Sequence, residues 1–179
     1  LQRVYTLFVP TNEAVEKYLQ QHEFQAVTDI PREEAVYLIK YHVLEGVAFD
    51  QSQFVSGVIN APTETDDRLS IEFREGGLGS IYLNGIARIA QLDIKVTNGI
   101  IHSIEEVLIP VKETILQKLQ DERYSIFHEA VIATGYDALL NTISVEDVDD
   151  QGNLVEKRYR FTAFAVPDSI YALHGITGL

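Results

Sequence analysis

The apolar positions of this chain change rhythm several times. The stretch Val4-Tyr-Thr-Leu-Phe-Val9 is β-branched and aromatic, Pro10-Thr11-Asn12 stops it, and Glu13 to Gln21 follows with a helical pattern. That order predicts strand, turn and capped helix, with Thr11 or Asn12 accepting from free amides of the first turn. A second helix is expected to start near Pro31, where the missing amide hydrogen costs nothing. It carries Ala35, Leu38, Ile39, His42 and Val43 at helical spacing and is expected to end at Gly46.

From Val58 the pattern shortens into β runs: Leu69 to Phe73, Ile81 to Leu83, Ile86 to Ala90, Ile94 to Thr97 and Ile100 to Val107. Asn84-Gly85 and Asn98-Gly99 lie between such runs, and Asn-Gly favours tight hairpins because both positions of the turn take positive φ. Gly76-Gly77-Leu78-Gly79 reads as a longer hairpin loop, since strands flank it and no Lys-Ser or Lys-Thr follows to hold a phosphate. After Pro110 helices are expected over Lys112 to Asp121 and Ser125 to Thr134, the latter closed by Gly135. Two strands, Thr142 to Val148 and Leu154 to Val166, are expected on either side of the polar turn Asp149 to Asn153.

One internal repeat stands out. Tyr5-Thr6-Leu7-Phe8-Val9 aligns without gaps on Phe161-Thr162-Ala163-Phe164-Ala165, and Pro10-Thr11-Asn12 falls on Val166-Pro167-Asp168. An offset that long (161 − 5 = 156 residues) implies two copies of a domain rather than the short units of a solenoid.

These residues also carry a family resemblance. Tyr5 to Ala14, the tyrosine-histidine segment Leu38-Ile39-Lys40-Tyr41-His42-Val43-Leu44, and Asn98-Gly99-Ile100-Ile101-His102-Ser103-Ile104 with Val107 to Pro110 resemble, in order, the motifs of fasciclin-like domains. The resemblance implies an α+β fold in which short strands form two sheets set at an angle with helices packed on one side. It implies residues 1–111 as one repeat without its N-terminal helices, so that the chain looks like a processed or excised piece. Residues 112–179 would be a linker helix and the start of a second repeat, with self-association through that partial repeat as an expectation. It further implies an extracellular or cell-surface adhesion module that contacts a protein or glycan, either secreted or anchored to a bacterial envelope by a segment outside this chain, as a lipoprotein is. Partner contact is expected at Tyr41 and His42 and at Asp93 and Ile94, which match sequences linked to adhesion in that family.

Composition narrows the chemistry. The 179 residues carry 14 Lys and Arg against 27 Asp and Glu, a formal charge of −13, which disfavours nucleic acid as a partner. Without Cys there is no disulfide, no thiolate nucleophile and no Cys-ligated zinc. His22, His42, His102, His128 and His174 show no His-x-x-x-His pair or ligand spacing, so no metal is expected, and His42 and His102 read as hydrogen-bonded structural residues. Asp147 to Gly152 starts like a calcium loop, but Gln151 occupies position five and Arg158 the position of the bidentate Glu. Glu33-Glu34 and Glu105-Glu106 are adjacent and point apart, and no Gly-x-Ser-x-Gly elbow occurs. The expectation is a non-enzymatic module with no cofactor and no transmembrane segment. The alternative is a carbohydrate-capturing or carbohydrate-processing accessory protein of a bacterial envelope, which would need carboxylates converging in one cleft.

Overall fold

The computed structural model describes residues 3–148 and 151–178 and divides the chain into two compact units, Leu1–Pro110 and Val111–Leu179. The first unit begins with strand β1 (Tyr5–Pro10), then α1 (Asn12–Gln21), α2 (Arg32–Tyr41) and β2 (Val43–Glu45). Five further strands follow: β3 (Gly57–Val58), β4 (Ser70–Phe73), β5 (Ile81–Leu83), β6 (Ala87–Val96) and β7 (Gly99–Ile104). They form one sheet in the order β2-β1-β7-β6-β5-β4-β3. β1 lies parallel to β7 and antiparallel to β2, and every other pairing is antiparallel. The two halves of this sheet share β6. Its first residues, Ala87 and Arg88, pair with β5, and from Ile89 onward it pairs with β7 through two register shifts. The protein is therefore α+β, with helices inserted between strands of a mixed sheet.

Thr11 caps α1, its hydroxyl accepting from the Ala14 amide at 3.2 Å. Asn84 (φ +51°) and Gly85 (φ +70°) make the expected tight turn, closed by the Ile86 amide donating to Leu83 O at 3.0 Å. Alternation along β1 and β7 puts Thr6, Phe8, Ile100, His102 and Ile104 on one face, and all five are buried. Phe8 joins Leu44, Leu69, Ile81, Leu83, Ile104 and Leu108 in the core, each fully buried and each stabilising by about 1.5–3 kcal/mol relative to exposure.

Three expectations for this unit are corrected. α2 ends at Tyr41 rather than Gly46, because Val43 to Glu45 leave the helix to pair with Tyr5 to Leu7. The runs Ile86 to Ala90 and Ile94 to Thr97 are one strand, β6, bent by bulges around Gln91 to Ile94. At the second Asn-Gly, Val96 pairs with Gly99, so Thr97 and Asn98 form the turn and Gly99 is the first residue of β7.

The second unit contains α3 (Ile115–Lys118), α4 (Ser125–Ala133), α5 (Asp137–Leu140), the hairpin β8 (Ser144–Val148) with β9 (Leu154–Arg158), and α6 (Asp168–Leu173). The helix expected over Lys112 to Asp121 is reduced to α3. Thr114 caps its start by accepting from the Gln117 amide, and Asp121 caps a separate 3₁₀ turn. Gly135, at φ +74°, ends the α4 segment as expected, and the Tyr136 amide donates back to Val131 O. The strand expected over Leu154 to Val166 stops at Arg158, since no neighbouring strand pairs with residues 161–166 among the described residues. Asp149 and Asp150 of the expected polar turn and calcium-like loop lie outside the described residues.

Candidate functional site

Two buried histidines tie the three motifs of the first unit together. The His42 ring follows α2, and its Nδ1–H donates to Leu38 O at 2.7 Å while Nε2 accepts from the Leu108 amide at 3.0 Å. The His102 ring has the opposite arrangement: Nε2–H donates to Phe49 O at 2.8 Å and Nδ1 accepts from the Asp93 amide at 3.3 Å. Each ring thus has one donor and one acceptor nitrogen, both matched to main chain, which fits neutral imidazole. Burial pushes the pKa of both below the ordinary 6.5, outweighing the Leu38 hydrogen bond at His42 and, at His102, the Phe49 bond and the Asp93 and Asp50 charges. Asp93 Oδ1 is 3.9 Å from Nδ1 of His102, but a neutral ring makes this proximity rather than an ion pair.

The purpose of this arrangement is visible in what it holds. Fully buried Thr6 accepts from the Phe49 amide at 2.8 Å and donates to Val47 O at 2.8 Å. Asp93, at φ +56° in the β6 bulge, accepts from the Gln51 amide at 2.9 Å. Thr6, His102 and Asp93 therefore clamp the segment from Val47 to Gln51 onto the sheet. Phe8, Phe49 and Phe54 surround the clamp, with the Phe8 and Phe54 rings 5.5 and 5.2 Å from that of His102, and Phe49 stacked on Phe54 at 5.1 Å. Beyond the clamp lies a groove of about 510 Å³ lined by Val47, Phe49, Val55, Val58, Ile59 and Ile71. Its rim is open to solvent and mixed, with Val55 68% and Val58 59% exposed beside exposed Gln53 and Asn60.

The four residues expected to contact a partner separate into two groups. Tyr41 and His42 are 6% and 5% exposed and belong to the interior. The Tyr41 hydroxyl accepts from Asn84 Nδ2 at 3.1 Å, joining α2 to the Asn-Gly turn, and burial raises its pKa. Asp93 and Ile94 lie half-buried in the bulge, beside the clamped segment. Sequence reasoning passed over Thr6, Phe49 and Phe54. Thr6 carried a signal, since a hydroxyl sharing the β1 face with Phe8 requires a buried partner. Among the described residues, no group of three or more His, Cys, Asp and Glu side chains is placed to hold a metal ion, and no helix is long and apolar enough to cross a membrane.

A family model described as the Fasciclin domain matches residues 1–110. The chain belongs to the fasciclin domain family. It is 34% identical to human periostin over 131 residues, covering 73% of this chain and 15% of periostin. It is 33% identical to rabbit (Oryctolagus cuniculus) transforming growth factor-beta-induced protein ig-h3 over 115 residues, covering 64% of this chain and 16% of that protein. The chain thus spans less than a fifth of the length of these relatives. A FAS1 domain pair from the insect cell adhesion molecule fasciclin I is similar over 78% of this chain and 49% of that one, at 21% identity and a TM-score of 0.46. For this fasciclin domain, the motif histidines support the frame on which the Val47–Gln51 segment and the Asp93 bulge are set.

Their neutrality predicts a pH dependence. The folded pKa of each histidine lies below 6.5, so below about pH 6.5 the unfolded chain binds more protons than the folded one, and stability falls as pH falls. Each ring contributes at most about 1.4 kcal/mol per pH unit, levelling off below its folded pKa. Urea unfolding between pH 7.5 and 5 is expected to show the loss of stability beginning near pH 6.5. His42→Gln and His102→Gln, each lacking one titrating ring, are expected to show a shallower slope.

Proposed function

We propose that this fasciclin-domain chain is a non-enzymatic adhesion module, secreted or held at the cell surface. In this reading it contacts a protein partner through the face built by the Val47–Val58 segment with Asp93 and Ile94. The observation that carries the reading is the complete use of both motif histidines by main-chain partners. His102, with Thr6 and Asp93, holds the Val47–Gln51 segment, while His42 joins Leu38 to Leu108, and the segment so held presents a surface. Tyr41 and His42 act on contact by positioning, while Asp93 and Ile94 lie beside the surface itself. A protein is favoured because Val55 and Val58 expose apolar surface of the kind that the buried core of a protein interface covers.

Attachment of cultured cells to plates coated with the chain, against albumin-coated plates, tests this. Wild type is expected to hold cells, and Val55→Glu combined with Val58→Glu is expected to reduce attachment at least about tenfold, a loss of about 1.4 kcal/mol. Because both side chains are exposed, the unfolding midpoint of the variant should match wild type. Mild protease treatment of the cells should abolish attachment and glycosidase treatment should spare it; the reverse pattern assigns the contact to glycan. Attachment no better than to albumin defeats the adhesion reading.

A further inference from the structure

We propose that Asn98 is a site of spontaneous deamidation and isomerisation, and that the isoaspartate formed there parts β1 from β7. Asn84-Gly85 and Asn98-Gly99 are the two Asn-Gly dipeptides of the chain, and each lies at a turn between paired strands. The fold holds them differently. The Asn84 side chain is tied at both ends, Oδ1 accepting from the Ser70 amide at 2.9 Å and Nδ2 donating to the Tyr41 hydroxyl at 3.1 Å. Its main chain is held as well, the Asn84 amide donating to Ser70 O at 2.9 Å and Gly85 O accepting from Arg74 Nη2 at 2.7 Å. Asn98 is exposed at the tip of the β6–β7 hairpin beside exposed Thr97, and its side chain bonds to no described residue.

Asn-Gly is reactive because glycine has no Cβ to crowd its own nitrogen. The Gly99 nitrogen gives its proton to hydroxide and attacks Asn98 Cγ. The N–Cγ bond forms, the Cγ–Nδ2 bond breaks, and the departing nitrogen takes a proton back from water and leaves as ammonia. Water then opens the five-membered succinimide. Cleavage between N and Cγ gives aspartate; cleavage between N and the α-carbonyl carbon gives isoaspartate, whose chain runs through Cβ and Cγ. One water is consumed and one ammonia released, so no other reactant is needed. Ring closure at Asn98 requires only that the turn open briefly, and exposed turns open at little cost. At Asn84 the same attack must first strip the Ser70 amide and the Tyr41 hydroxyl of their partners.

Asn98 lies where the sheet has no room for a longer chain. Its carbonyl accepts from the Tyr5 amide at 3.0 Å, and a Cβ at Gly99 would fall 1.9 Å from Tyr5 O. Isoaspartate turns that carbonyl into a free carboxylate and lengthens the link to Gly99 by one atom. The first pair of the parallel ladder, Tyr5 with Gly99, is then lost. β1 carries Thr6, whose hydroxyl holds Val47 and Phe49, so the loss reaches the clamped segment. Aspartate, by contrast, adds a charge at an exposed tip and leaves the path of the chain unchanged.

Peptide mapping by mass spectrometry, during incubation of the whole chain in mildly alkaline buffer with and without urea, tests the proposal. In urea both asparagines are expected to gain about 1 Da at similar rates, since each is followed by Gly-Ile. In buffer, Asn98 is expected to react at least about tenfold faster than Asn84. The isoaspartyl form, separated by chromatography, should unfold at lower urea than the unreacted chain and exchange amides faster over residues 5–10 and 47–51, whereas Asn98→Asp should match the unreacted chain. Asn98→Gln, whose longer carboxamide closes the ring poorly, should show neither the mass gain at this position nor the loss of stability. Equal rates at the two asparagines in buffer, or no reaction at Asn98, overturns the proposal, and so does an isoaspartyl form as stable as Asn98→Asp. The adhesion reading concerns the unreacted domain; fresh chain that fails to hold cells would defeat that reading and leave this one standing.

Discussion

Gly99→Ala is expected to be the most destabilising small substitution in the first unit. A Cβ built at Gly99 falls 1.9 Å from Tyr5 O and 2.9 Å from Tyr5 C, far inside any van der Waals contact. The obstacle is main chain: β1 passes beside the start of β7, with the Tyr5 amide bonded to Asn98 O at 3.0 Å. The clash cannot be relieved by a rotamer change. Relief requires β1 and β7 to separate at their first pair, which opens the parallel ladder that also positions Thr6 and Phe8. Overpacking costs about 1–3 kcal/mol where side chains can yield, and a main-chain obstacle belongs at or above about 3 kcal/mol. Urea unfolding followed by circular dichroism should show the first unit's transition at markedly lower denaturant, or none. A loss under about 1 kcal/mol would mean that the two strands are not this close.

His102→Leu is expected to have the second largest effect, and a more local one. The change keeps an apolar side chain beside Phe8 and Phe54 but removes both polar atoms, leaving Phe49 O without its donor and the Asp93 amide without its acceptor. Two part-buried groups lose their partners, and since a fully buried one costs about 1–3 kcal/mol the loss is about 2–4 kcal/mol. The loss should concentrate where the clamp acts. Hydrogen exchange is expected to quicken over residues 47–54 and 91–94, while the β4–β5 pair, which meets neither atom, keeps its protection. If stability falls but exchange changes evenly across the unit, His102 is a packing residue and does not hold the segment.

The legibility of this molecule followed locality. The β1–turn–α1 start was readable because its cause is local: Pro10 ends the strand and Thr11 caps the helix. The Asn84-Gly85 turn was readable for the same reason. What escaped depends on strands distant in sequence. Gly99 looks like a turn residue, yet the approach of β1 is what excludes a side chain there. The bulge joining two apparent strands into β6 follows from the need to place Asp93 against Gln51 and His102, a relation spanning 42 and 9 residues. His42 reads as one more apolar-face residue of a helix running to Gly46, but it is the residue after the helix, turned back on Leu38. Residues 161–166 show the same dependence from the other side. Their pattern aligns on that of β1, and among the described residues no strand pairs with them.

For the candidate site, the family resemblance led to Tyr41, His42, Asp93 and Ile94, but not to the division of labour among them. Burial separates Tyr41 and His42 from half-buried Asp93 and Ile94, of which Asp93 also holds the Gln51 amide, and burial is a property of the folded sheet rather than of the motif. Val55 had no sequence signal, because an isolated valine in an irregular stretch resembles an ordinary loop residue, and Val58 was readable only as the start of the β runs.

The motif histidines are neutral, saturated supports of the frame. This role is tested most directly by the ring nitrogen resonances of His42 and His102 in the ¹⁵N-labelled chain, followed from pH 7.5 down to pH 5.5. Two neutral rings of opposite tautomer are expected, the proton on Nδ1 in His42 and on Nε2 in His102, with both titrating below 6.5. Either ring titrating at or above 6.5, or both carrying the proton on the same nitrogen, would contradict this role.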